Sequence, residues 1–208
     1  MTKIAAKSAP QTDSRPITEE ADFLQIKAID HVHFYVGNAR HAMHYWWKAF
    51  GFKPVAYSGL ETGNREFASY VLQSGQARFV VSAAYSPSTA IAAHHMLHGD
   101  GIKVIALEVD DVEKAWKETT SRGGKSAWSP REEKDDFGLY RTSAIYTYGE
   151  TLHVFVDRDD YKGVFAPTYR PIKDKVRPQS LGLVRLARLR PTRRSEAFAA
   201  VARAEIRA

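Results

Sequence analysis

Cysteine is absent from the 208 residues of this chain. That absence excludes a disulfide scaffold, a thiolate metal site and a cysteine nucleophile, and it is typical of a reducing compartment, so we expect a cytoplasmic protein. Long apolar runs are absent as well. None approaches the ~18 residues of a membrane span, and the first 23 residues hold no apolar core of a signal peptide. The sequence therefore predicts a protein with no membrane partner.

Several motifs of known chemistry are also missing. No G-x-G-x-x-G follows a strand pattern, and neither a G-x-x-x-x-G-K-[ST] phosphate loop nor a G-x-S-x-G elbow occurs. Nucleotide binding and hydrolysis by a serine at such an elbow are therefore unsupported.

Positive charge is concentrated in residues 171–208, which hold ten Lys/Arg against three Asp/Glu, whereas the whole chain has a net charge of +6. As a nucleic-acid arm, this basic tail would contact phosphates through Arg185, Arg188, Arg190, Arg193 and Arg194. It has no interleaved aromatics to stack on bases, which disfavours a nucleic-acid partner.

Two other interpretations of the tail remain. A partner helix would need a longer apolar stripe than Leu181, Leu183, Leu186 and Leu189 provide. We favour the third interpretation, a disordered stretch or a coding sequence out of frame from near Arg177, because GC-rich stretches read out of frame tend to encode Arg, Ala and Pro.

The remaining chain divides into a leader and a folded body. Residues 1–22 are rich in Ser, Thr, Pro and charge without periodicity, which predicts a disordered leader. Residues 23–170 form the predicted domain. Its first strand, IKAIDHVHFYVG, alternates between a face with Val32, Phe34 and Val36 and a face with His31, His33 and Tyr35.

The domain then repeats one pattern of elements. Asn38 is expected to cap the helix ARHAMHYWWKAF, which ends at Gly51, and three strand-like runs follow, FKPVAYSG, REFASYVLQS and QARFVVSAAY. After a helix predicted in STAIAAHHMLHGDG, the same order of a strand, a helix and three strands begins again. The strand IKVIALEV precedes a helix, VEKAWKETTSRGG, opened by Asp110 or Asp111, and strands are expected near KSAWSP, GLYRTSAIYTY and ETLHVFVDR. Two βαβββ modules predict an α+β fold whose eight strands form one open, bowl-like barrel with the helices outside.

Four segments carry a resemblance to a known family. They are IDHVHFYVGNARHAMHYWWKAFGFKPVAYSG, GNREFASYVLQSGQARFVVSAAYSP, HGDGIKVIALEVDD and YTYGETLHVFVDRDDYKGVFAPTYRP. In this order and spacing, over roughly residues 25–170, the chain resembles the N-terminal half of the 4-hydroxyphenylpyruvate dioxygenase family, in the glyoxalase-like vicinal oxygen chelate superfamily. Hydroxymandelate synthase shares this half, so the resemblance does not separate the two activities.

The resemblance implies an oxidoreductase of tyrosine catabolism that uses Fe(II) and dioxygen to convert an aromatic 2-oxo acid, 4-hydroxyphenylpyruvate, to homogentisate. It also implies that the two-His, one-carboxylate iron site lies in a C-terminal half that this chain lacks, so the chain is expected to be truncated and inactive alone. Members associate through this half, which implies a homo-oligomer. The alternative is a non-catalytic ligand-binding or dimerisation module.

Some residues nevertheless merit inspection as ligands. The superfamily's metal positions correspond to His31, Val104 and Thr151, of which only His31 is a ligand type. Neighbouring positions expected on the bowl face are His33, His153 and Glu108, so His31, His153 and Glu108 are a conceivable set. We prefer the hypothesis that the three histidines are hydrogen-bonded inside a filled, silent bowl.

The other histidines and the aromatics of the first helix favour ordinary structural roles. His94 and His98 have the spacing of helical zinc ligands without the H-E-x-x-H glutamate, which favours a helix end over a metal site. His41 and His44 are expected on a solvated face. The aromatics Tyr45, Trp46, Trp47 and Phe50 predict packing against the sheet, and a tryptophan left exposed would mark a subunit contact. We therefore assign no catalytic or metal-binding residue from sequence.

Overall fold

The structure, a computed structural model, describes residues 24–173. The predictions for the leader at 1–22 and for nearly all of the tail at 171–208 lie outside these residues. The strands are β1 Ile26–Tyr35, β2 Lys53–Ser58, β3 Phe67–Ser74, β4 Ala77–Ala84, β5 Gly101–Val109, β6 Ser126–Asp135, β7 Gly138–Tyr146, β8 Leu152–Asp157 and β9 Arg170–Pro171. The helices are α1 Ala39–Phe50, α2 Ala90–His98 and α3 Val112–Ser121, with a 3₁₀ turn at Leu60–Thr62.

One mixed sheet joins all nine strands in the order β6-β7-β8-β5-β1-β4-β3-β2-β9. In each module the first strand pairs in parallel with the last, β1 with β4 and β5 with β8, and the modules meet where β1 runs antiparallel to β5. The predicted pair of βαβββ modules and the open sheet are confirmed. The short β9 was not foreseen. It pairs with the edge strand β2, and the division of the chain near residue 170 stays a prediction.

Helix ends follow the predicted capping residues. The Asn38 side chain accepts a hydrogen bond from the His41 amide, and Gly51 closes α1 with φ of 69°, a left-handed conformation that glycine adopts without strain. Of the two aspartates proposed for α3, Asp111 is the cap, because its side chain accepts from the Lys114 amide.

The two faces of the sheet pack differently. The convex face carries α1 and α3, with α1 over one cluster that includes Phe52, Leu72 and Phe79, and α3 over another that includes Leu107 and Phe155. The concave face, called the bowl below, is lined by small and branched residues such as Val80, Val104 and Ala106. Any site at the centre of the fold must be built on this concave face.

Candidate functional site

A buried carboxylate lies at the centre of the bowl. Asp30 occupies an irregularity of β1 between Ile29 and His31, and its side chain is 2% exposed. One carboxylate oxygen accepts from Arg78 at 2.9 Å and from Arg158 Nε at 2.7 Å, and the other lies 2.6 Å from His31 Nδ1 and accepts from Arg158 Nη2 at 2.9 Å. Burial alone would raise the pKa of Asp30, but the charge of Arg158 and the bond to His31 hold it far below its usual range.

A chain of hydroxyl groups leads away from the second histidine of β1. His33 Nε2 lies 2.7 Å from Ser82 Oγ, Ser82 donates to Ser69 Oγ at 2.7 Å, and the Tyr169 hydroxyl donates to Ser69 at 2.8 Å. Desolvation lowers the pKa of His33 to about 3 and raises that of Tyr169 to about 12. The imidazole is therefore neutral and the phenol protonated at physiological pH.

The segment that follows β8 fills the bowl. Phe165 and Ala166 are buried in the same cluster as Val80 and Val104, and the Phe165 ring meets the edge of His31 at 5.1 Å between centroids. Arg158 lies over the Phe165 ring at 4.7 Å and donates to the Phe165 carbonyl. The chain's own side chains thus occupy the space where a substrate would lie, and the hypothesis of a filled bowl agrees with this geometry for His31 and His33.

The bowl does not fit the Fe(II) that the family resemblance implies. Two guanidinium groups converge on Asp30, which lies 2.6 Å from His31 Nδ1, and their positive charge repels a dication at that imidazole. The position on β5 is the buried Val104, and Thr151 is used in a turn before β8. No iron-dependent step can be derived from these residues.

The expectation that His153 lies on the bowl face is wrong. His153 pairs with Ile105 and Ile145 and alternates with Phe155, which belongs to the cluster beneath α3, so its side chain lies on the convex face. All six residues of β8 are buried, so its sequence shows no polar alternation from which the face could be identified. Glu108 does lie on the concave face, opposite Ala28, but the set His31, His153 and Glu108 is not brought together.

A second polar cluster lies at the end of α2, away from the bowl centre. His94 and His98 are joined there by Glu150, from the turn between β7 and β8, and the three ligand-type atoms lie within 4.8 Å of one another. The sequence pattern favoured a helix end over a metal site for the two histidines, and Glu150 was not among the candidate residues. Their i, i+4 spacing was the available signal, whereas the glutamate lies 52 residues beyond His98.

The aromatic and histidine candidates on α1 are either packed against the sheet or exposed to solvent. Trp46 packs against Phe79 and Phe52, whereas Tyr45 is 57% exposed. The exposed aromatics on this helix are therefore Tyr45 and Phe50 rather than a tryptophan. His41 and His44 are exposed, as expected for a solvated face.

An open groove of about 610 Å³ lies beside α3, outside the bowl. Its charged side chains bond to each other, Arg141 to Glu132 at 2.9 Å and to Asp157 at 3.0 Å, and Lys117 to Glu113 at 2.5 Å. The groove therefore shows no charged group poised for a ligand. Within the described residues, no helix is long and apolar enough to cross a membrane.

Paired βαβββ modules around one concave face define a class of proteins, and comparison with known proteins agrees. The model of the Glyoxalase/Bleomycin resistance protein/Dioxygenase superfamily matches residues 28–163. This chain belongs to that superfamily.

Sequence comparison with curated proteins shows which members of the superfamily this chain is similar to. The chain is 38% identical over 170 residues to a 4-hydroxyphenylpyruvate dioxygenase of Tetrahymena thermophila, covering 77% of this chain and 41% of that protein. It is 42% identical to the enzyme of the same name in Dictyostelium discoideum, covering 76% and 46%. The resemblance inferred from sequence is confirmed, and the chain spans less than half the length of these relatives.

Solved structures share the fold. A triple mutant of 4-hydroxymandelate synthase from Streptomyces coelicolor aligns with a TM-score of 0.64 at 24% identity, covering 71% of this chain and 42% of that one. Methylmalonyl-CoA epimerase from Mycobacterium tuberculosis aligns at 0.53 and 20% identity, covering 64% of this chain and 88% of that one. At these identities the likeness establishes the architecture alone.

Proposed function

We propose that this chain provides the non-catalytic half of a 4-hydroxyphenylpyruvate dioxygenase-type protein, in which the catalytic Fe(II) and the aromatic 2-oxo acid are bound by residues other than 24–173. The observation that carries the proposal is the filled bowl: Phe165 packs on His31, and Arg158 neutralises Asp30 beneath it. The similarity to dioxygenases over less than half their length also supports a catalytic site outside residues 24–173.

Chemistry at the bowl would require two changes at once. The segment bearing Phe165 and Tyr169 would have to leave the bowl, and a metal ion would have to bind His31 next to the positive charges of Arg78 and Arg158. Removing a buried ring such as Phe165 from the core costs about 3–5 kcal/mol. A role as folded platform requires neither change.

Oxygen uptake tests the proposal. The purified chain, with cooperative unfolding as proof of folding, is supplied with Fe(II), ascorbate and 4-hydroxyphenylpyruvate, and the rate is compared with an iron-free control. We expect no difference. Uptake that requires both iron and substrate would overturn the proposal, and product analysis would then separate homogentisate from hydroxymandelate.

The alternative is a module that binds the aromatic 2-oxo acid without transforming it. Isothermal titration with 4-hydroxyphenylpyruvate in the absence of iron distinguishes it. The filled bowl predicts no saturable heat, whereas a ligand-binding module predicts one site per chain.

We also propose that the chain forms homo-oligomers in the cytoplasm. Large apolar side chains are exposed on α2 and β5, with Met96 at 81%, Leu97 at 72% and Ile102 at 44%, and Tyr45 adds to them on α1. Large apolar side chains exposed close together in sequence, as Met96, Leu97 and Ile102 are, are common at interfaces. Light scattering over a range of concentrations is expected to give at least a dimer mass, and a monomer mass at all concentrations would refute it.

A further inference from the structure

The cluster at the end of α2 is built from two elements, α2 itself and the turn between β7 and β8. His94 and His98 are one turn apart on α2, and their rings lie 4.5 Å apart between centroids. Glu150 is presented by a turn in which Thr147 donates to the Thr151 carbonyl at 3.0 Å, with Gly149 at φ of 58°. The carboxylate is therefore placed by a closed turn of the backbone rather than by a long loose loop.

The distances in this cluster differ from those of ordinary hydrogen bonds. Glu150 Oε2 lies 3.3 Å from His94 Nδ1 and 3.3 Å from His98 Nε2. Hydrogen bonds between nitrogen and oxygen cluster near 2.9–3.0 Å, particularly when one group is charged. Two ligands bound to one zinc ion at about 2.05 Å with tetrahedral angles stand about 3.4 Å apart. The two observed separations match the distance between neighbouring ligand atoms around such an ion.

The orientation of the two imidazoles also favours a ligand role. His94 Nδ1 and His98 Nε2 face the same oxygen of Glu150. An ion bound among these three atoms would replace the two long contacts by shorter bonds to the metal.

We propose that His94 Nδ1, His98 Nε2 and Glu150 Oε2 bind one divalent first-row transition-metal ion. Two imidazoles and one carboxylate suit zinc, cobalt(II) and iron(II), and the remaining positions face solvent because His98 and Glu150 side chains are 46% and 51% exposed. This site is separate from Asp30 and the bowl, and it does not depend on the proposed function. Its metal ties the β7–β8 turn to α2.

Lys103 competes with the metal ion. Its ammonium lies 3.4 Å from His94 Nδ1 while donating to the Glu150 carbonyl at 2.6 Å. A bound ion takes the place of the ammonium at the imidazole, whereas the bond to the carbonyl can persist. Removing this charge therefore strengthens metal binding, an effect that a purely structural salt-bridge cluster does not predict.

Cobalt(II) titration tests the site on the full chain freed of any affinity tag. All eight histidines of the sequence lie in the described residues, so the segments outside them contribute no imidazole. We expect one ion per chain, with the intense visible bands of four-coordinate cobalt and a higher melting temperature. His98→Ala and Glu150→Gln should each weaken binding by more than about tenfold, and Lys103→Gln should tighten it.

Two controls isolate the cluster. His95→Gln alters the neighbouring histidine, which lies 2.9 Å from Asp100 instead, and His41→Gln alters an exposed histidine on α1; both should bind cobalt as the parent does. Because His98 and Glu150 are exposed, their variants should melt like the parent without metal. Absence of cobalt binding by the parent, or equal binding by His98→Ala and Glu150→Gln, would overturn the proposal.

Discussion

Arg158 and Asp30 form a two-point ion pair between positions 128 residues apart. Nε and Nη2 of the guanidinium donate to the two carboxylate oxygens at 2.7 and 2.9 Å. The pair joins β1, the first strand of the first module, to the residue after β8, the last strand of the second. It thereby fixes the segment that fills the bowl, because Arg158 also donates to the Phe165 carbonyl.

Removing one partner of this pair should destabilise the fold strongly. Asp30→Asn keeps the shape but leaves Arg158 buried without its counter-charge, and we expect a loss of about 3–5 kcal/mol in the free energy of unfolding by urea titration. The exposed pair Glu113–Lys117 is the matched control, and Glu113→Gln should cost less than about 0.5 kcal/mol. The double variant Asp30→Asn with Arg158→Met should lose less than the sum of the single variants, and strict additivity would contradict direct coupling.

Phe165 should contribute as a core residue although it lies outside regular structure. It is 5% exposed and contacts His31 and Tyr169, so Phe165→Ala should lower the free energy of unfolding by about 3–5 kcal/mol. Phe137→Ala removes a ring that is 59% exposed and should change stability by less than about 0.5 kcal/mol. Similar small effects for both variants would mean that the segment is not packed in the bowl in solution.

His153 should make stability fall as the solution is acidified. Desolvation lowers its pKa to about 4 in the folded state, below the ordinary value near 6.5, so between these values the unfolded chain binds more protons. Its contribution is complete above pH about 6.5 and falls by up to about 1.4 kcal/mol per unit as the pH drops toward 4. His153→Leu should flatten the plot of unfolding free energy against pH by about that slope.

The control is His41→Gln, which replaces an exposed histidine. His31 and His33 are unchanged in both variants, so a difference in slope between the two variants reports on His153. The control should keep the slope of the parent. An unchanged slope in His153→Leu would contradict the lowered pKa.

Local signals determined most of the elements that the sequence predicted. Asn38 and Gly51 bound α1 because a side-chain acceptor and a left-handed glycine are requirements of a helix end alone. The alternation of His31 and His33 with Val32 and Phe34 identified both faces of β1, because only one face of that strand is polar.

Features that depend on tertiary contacts could not be predicted in the same way. The face of His153 is set by the pairing of β8 with β5 and β7. The residues next to it, Leu152 and 154–156, are apolar at odd and even positions alike, so the sequence does not show which face His153 occupies. Glu150 meets His98 because a turn between two strands ends beside α2. The separation of these residues in the sequence does not indicate this contact. The Asp30–Arg158 pair likewise follows from closure of the second module against the first.

The hydroxyl of Tyr169 offers a test of how the last described segment is held. It donates to Ser69 Oγ at 2.8 Å, the side chain is half-buried against the core of the bowl, and its pKa of about 12 keeps it a donor through neutral and mildly alkaline pH. Tyr169→Phe keeps the ring beside Phe165 and removes only this bond, so we expect a loss of about 1 kcal/mol in unfolding free energy. Tyr148→Phe, at a residue 55% exposed, should have no measurable effect. If both variants match the parent, water replaces the bond to Ser69 at no cost, and the segment is held by Arg158 and Phe165 alone.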